Sequence, residues 1–179
     1  MSSNLPSHIM EELKGPFERI FSTENFGEVV NDIAEQIYLG QLTTESLDSR
    51  LNEQGIKMEK IKDKILDMIL SYIHLIMEDN YITPKEATNI KFLKRFFRIR
   101  EGDFYSIKYY EVERILDKQF EHMYQNNSID NEEALQKVEL QELFDLSYDQ
   151  FLQLCQKAVQ GAIDRGANLS DLDTFIKSN

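Results

Sequence analysis

A chain of 179 residues with 41% hydrophobic and 29% charged side chains is long enough to bury a sizeable core and too apolar to be disordered. No apolar run approaches the roughly 18 residues of a membrane helix, and Met1-Ser-Ser-Asn is not the charged-then-apolar start of a secretory leader. Thirty-two acidic against twenty basic residues give a net charge of −12, which disfavours nucleic acid and anionic membranes as general partners.

Seven Gly and three Pro fall mostly at breaks between segments of helical periodicity. The pattern predicts helices over 7–22 (broken at Gly15-Pro16), 25–39, 44–54, 57–78, 84–97, 101–124, 131–145, 148–165 and 170–177. In the fourth, Met58, Ile61, Ile65, Met68, Ile69, Tyr72, Ile73 and Ile76 keep the i, i+3, i+4 rhythm. Tyr109, Val112, Leu116, Phe120 and Met123 repeat it further on. Strand-length alternation is absent, and so are Asn-Gly and Asp-Gly hairpin turns. The expectation is an all-α helical bundle of stacked hairpins. Residues 1–55 form an appended N-terminal helical region and 56–179 the bundle, together making one compact domain.

Helix starts are well marked. Thr83-Pro84-Lys85-Glu86 offers a Thr cap, Pro at the first helical position and a Glu placed to close a capping box. Asp130-Asn131-Glu132-Glu133, Ser147-Tyr148-Asp149-Gln150 and, more weakly, Ser170-Asp171-Leu172-Asp173 follow the same logic. Ile82, Ile129, Leu146 and Leu169 precede these caps, where a hydrophobic staple belongs.

Sliding the chain by 47 residues aligns Asn80 with Asn127, Ile82 with Ile129, Glu86 with Glu133 and Ala87 with Ala134. The same shift matches Leu93 with Leu140, Phe97 with Phe144 and Phe104 with Phe151. The implied unit is a long helix, an Asn-x-Ile turn, a capped helix, a short turn and a further helix.

Catalytic chemistry finds no constellation. Cys155 lies in Phe151-Leu152-Gln153-Leu154-Cys155, an apolar helical stretch suited to a buried structural thiol. As a lone cysteine it excludes an internal disulfide and a cysteine-built zinc site, and a reducing, cytoplasmic location is expected. A carboxylate-bridged di-metal bundle needs Glu-x-x-His pairs, but Leu5, Ser71 and Gln119 stand three residues before His8, His74 and His122. Those histidines read as packed or rim side chains. Phosphate-binding glycine loops and a Gly-x-Ser-x-Gly elbow are missing. No enzyme activity and no cofactor are expected.

The turn Asp79-Asn80-Tyr81-Ile82-Thr83-Pro84-Lys85-Glu86 follows the second half of a calcium loop. Leu75 and Met77, however, stand where the first two oxygen ligands belong. A capped interhelical turn explains it more simply; a weakly bound divalent cation on Asp79 and Glu86 is the alternative. The long helix ending in Asp-Asn-Tyr-Ile-Thr-Pro-Lys-Glu, followed by Leu93, Phe97-Arg98-Ile99 and Asp103-Phe104, resembles the TerB-like family of tellurite-resistance and related bacterial proteins. The likeness is best over residues 60–125 and extends to 165. The family pattern is Ala-x-x-Asp-Gly-x-Ile-x-x-x-Glu followed by a Leu-Gly-Ile-type turn. Asp79 and Glu86 match its acidic positions, Asn80 stands in place of its glycine, and Met77 replaces a residue that is often small. The resemblance implies an all-α bundle, acidic residues that meet metal ions, and a stress-related or scaffold role.

Charge is uneven along the chain. Residues 85–118 hold nine basic and six acidic residues, whereas 1–84 and 119–179 are both strongly acidic. On a helix with Lys91 at zero, Lys94, Arg95 and Arg98 lie at about 300°, 40° and 340°, opposite Ile90, Leu93, Phe96 and Phe97 at about 140° to 260°. This basic strip is either a solvated face or a docking site for an acidic protein or a second copy. The functional expectation is a non-catalytic helical interaction or scaffold protein of bacterial physiology, with an unknown protein partner or a homodimer and no membrane. A metal-responsive module is the alternative. A nucleic-acid binder using Lys91, Lys94, Arg95 and Arg98 is a third reading, disfavoured by the overall charge.

Overall fold

The computed structural model describes residues 5–125 and 129–168, and every regular element among them is an α-helix. In chain order these are α1 (Ser7–Thr23), α2 (Glu28–Tyr38), α3 (Thr44–Glu53), α4 (Met58–Ile76), α5 (Pro84–Phe96), α6 (Asp103–Ile107), α7 (Tyr109–Met123), α8 (Asn131–Leu143) and α9 (Tyr148–Asp164). The all-α expectation is met. The helix expected over 170–177, its Ser170 cap and Asn127 of the repeat lie outside the described residues.

Contacts divide the chain into two compact units, one of residues 1–79 and 83–100 and the other of residues 80–82 and 101–179. Gly55 lies inside the first unit, between α3 and α4. In that unit α1 packs on α2, α4 and α5, and α2 packs on α3 and α4. Leu13, Phe17, Ile33, Ala34, Ile37, Ile65, Met68, Ile69, Ile73, Ile90, Leu93 and Phe97 are all fully buried. The rings of Phe17 and Tyr72 meet at 5.8 Å. In the second unit α7 packs on α6 and α9. Phe104 meets Phe144 edge-on at 5.5 Å, and Phe120 meets Phe151 in the same way at 5.6 Å.

Two expected boundaries differ. Gly15-Pro16 does not break α1, which runs through Pro16. An internal proline costs roughly 3 kcal/mol, but Ile9, Met10, Leu13, Phe17 and Ile20 form one buried stripe across it. Burying each such side chain contributes about 1.5–3 kcal/mol, so a continuous stripe outweighs the proline. The expected helix over 101–124 is instead two helices, α6 and α7, separated at Lys108 with φ −123° and ψ 34°. Lys108 is the one charged member of the stripe Phe104, Lys108, Val112, Leu116, Phe120. Lys108 is buried at the break, with 5% of its surface accessible. At the break the backbone changes direction, the Lys108 N–H still donates to the Phe104 carbonyl at 2.9 Å, and the Lys108 carbonyl accepts from Val112.

The 47-residue register is kept by helix bounds and by burial. Shifting α5 by 47 residues superposes its bounds on those of α8, and the last residue of α4 falls on the last residue of α7. Buried positions correspond as well: Ile65 with Val112, Ile69 with Leu116, Ile73 with Phe120, Leu93 with Leu140 and Phe97 with Phe144. Both helices open with a capping box, Thr83 with Glu86 and Asp130 with Glu133. The Ser147–Gln150 box also forms, joined by a Thr43–Ser46 box at α3. Both α5 and α8 close in a Schellman turn. Ile99 N–H donates to the Lys94 carbonyl at 2.9 Å and Arg98 N–H to Arg95 at 3.2 Å; Leu146 donates to Gln141 at 3.0 Å and Asp145 to Glu142 at 3.2 Å. Arg98 and Asp145 carry the left-handed backbone of that turn, with φ 56° and 50°. Thr83→Ala and Asp130→Ala should each cost about 1 kcal/mol, measured by urea denaturation. Costs near zero at both sites would show that the boxes contribute nothing.

Candidate functional site

The α4–α5 turn is held by its own polar groups. Asn80 adopts φ 61°, a left-handed conformation that Asn tolerates better than most residues. Its side-chain carbonyl accepts from Gln119 Nε2 at 3.2 Å. Glu86 Oε2 accepts from the Thr83 backbone N–H at 2.8 Å and from the Thr83 hydroxyl at 2.7 Å. Thr83 Oγ1 accepts in turn from the Glu86 N–H at 3.3 Å. Glu78 is engaged by the Arg19 guanidinium at 2.6 and 3.1 Å, which raises the pKa of Arg19 by hydrogen bonding to the carboxylate. Of the acidic residues expected to meet a cation, Asp79 is exposed and Glu86 is committed to the cap. Among the described residues, no group of three or more His, Cys, Asp or Glu is arranged to hold a metal ion.

The basic strip is narrower than expected. Lys91, Arg95 and Arg98 are exposed, but Lys94 is buried, with 7% of its surface accessible. Its position explains this: at about 300° on the helical wheel it borders Ile90 and Phe97 on the apolar arc. Arg98 lies beyond the end of α5, in the Schellman turn, with Nη2 3.8 Å from Asp48 Oδ1. The structure therefore brings together two exposed cations on α5 and one just after it, not four on one arc.

A polar cluster inside the first unit was not anticipated. Asn89, buried on α5, donates from Nδ2 to the Tyr72 hydroxyl at 3.2 Å. Glu12 lies 2.9 Å from Lys85 Nζ. The Lys85 hydrogen bond holds the Glu12 carboxyl below its usual range against the opposing effect of burial, with Asn89 contributing in the same direction as Lys85. Burial pushes the Tyr72 hydroxyl up to about 12, partly offset by the Asn89 hydrogen bond. Cys155 is buried as its helical position requires, and burial pushes its thiol up to about 12. His8, His74 and His122 are exposed on three different helices. The Tyr72 hydroxyl and the Cys155 thiol both stay protonated near neutral pH.

No protein-family model, curated protein or solved structure matches the chain.

The other feature that the pattern missed is an aromatic corner in the second unit. Tyr105, at the centre of α6, meets Tyr109 edge-on at 5.3 Å, and Tyr109 meets Tyr110 edge-on at 5.4 Å. The periodicity placed Tyr109 among core residues, whereas it is half-buried; Tyr110 beside it is 78% exposed. Tyr105 and Tyr109 stand four residues apart, a spacing that brings side chains together along helical backbone, and the visible signal was three tyrosines within six residues, Tyr105-Ser-Ile-Lys-Tyr-Tyr110. Ile107 is exposed between them. The Tyr105 hydroxyl donates to Gln153 Oε1 on α9 at 3.0 Å. Burial pushes the Tyr109 hydroxyl up, and Glu113 and Tyr105 reinforce the shift.

The Tyr72 shift makes a sign-specific prediction. The folded pKa of about 12 exceeds the ordinary value of 10.0, so the folded state favours the neutral phenol. The associated stability is present below pH 10 and is lost as pH rises through 12, on the order of 2–3 kcal/mol in all. Urea denaturation of wild type and Tyr72→Phe across that range should show the wild type losing more stability by about this amount. Parallel curves would place Tyr72 in a solvated environment.

Proposed function

We propose that this chain is a non-catalytic helical interaction protein that docks a partner protein on the aromatic corner of its second unit. The observation that supports this reading is the exposure of Tyr110 beside two further tyrosines whose positions are fixed. Tyrosine is enriched at protein interfaces because a rigid, amphipathic ring contributes contact area with little loss of conformational freedom. The Tyr105–Gln153 hydrogen bond holds the corner in place before any partner arrives. The TerB-like resemblance over residues 60–125 supports the same class of role, a scaffold in bacterial physiology, and a stress-related setting belongs to that proposal.

The metal-responsive alternative has weaker support, because Glu86 Oε2 already accepts two hydrogen bonds at the start of α5. The nucleic-acid reading loses one of its four cations with the burial of Lys94. Replacing Tyr110 with a photo-crosslinking phenylalanine derivative, in the cells that make the protein, tests the reading. A discrete protein should be captured at position 110 and not when the same group replaces exposed Leu135 on α8. Equal capture at both positions, or none at 110, would overturn it.

A further inference from the structure

We draw no further inference here: the strongest candidate, the open cavity of about 390 Å³ between the start of α1 and the α2–α3 connection in the first unit, lined by Ser7, Met10, Glu11, Lys14, Leu42 and Thr43, has its two charged side chains already paired with each other at 2.6 Å, and nothing in the structure shows what would fill it.

Discussion

A helix that buries one face still has to satisfy four N–H groups at its start and four carbonyls at its end. In this protein that requirement governs how each hairpin is built. At the front of α5 and α8 a side-chain oxygen takes the N3 amide, and the N3 glutamate returns to the cap amide. At the back, two backbone amides fold under the last turn to reach carbonyls of α5 and α8. The ends of α2, α3 and α9 turn in the same way on Gly40, Gly55 and Gly166, all at positive φ. On α5 and α8 the corresponding residue is Arg98 or Asp145. A side chain in that backbone region is disfavoured, so its presence at equivalent points of both hairpins shows how firmly the surrounding turn holds it.

Charge is the second constraint. This acidic protein buries three of its lysines, Lys94, Lys108 and Lys137. Lys137 places its ammonium 5.8 Å from the centre of the Tyr124 ring, a contact that recovers part of the cost of leaving water. The burial of Lys94 is what narrows the basic strip on α5.

Much of the fold was legible because its signals are local. Capping residues, the i, i+3, i+4 stripes and the 47-residue register are all carried by residues close in sequence, and the helices appear where those signals lie. The departures have a tertiary origin. Pro16 reads as a breaker until the stripe buried on both sides of it is known. Ser46 is a poor match to the Glu or Gln usual in a capping box, yet its hydroxyl accepts from the Thr43 N–H. Lys94 looked exposed because periodicity places it at the edge of the apolar arc, and only the packing decides which way an edge residue falls. The site was less legible than the fold. Asp79 and Glu86 were identified from their spacing in the turn, but the hydrogen bonds of Glu86 serve the cap. Which of the three tyrosines is exposed is decided by packing and not by spacing.

Amide hydrogen exchange by NMR tests the central claim most directly, namely that the ends of α5 and α8 are closed structures that fix the hairpins. The account predicts that the cap amides of Glu86 and Glu133 and the Schellman amides of Ile99 and Leu146 exchange as slowly as amides in the middle of their helices. Exchange at the rate of a free peptide at these four amides, with the helix interiors still protected, would contradict it.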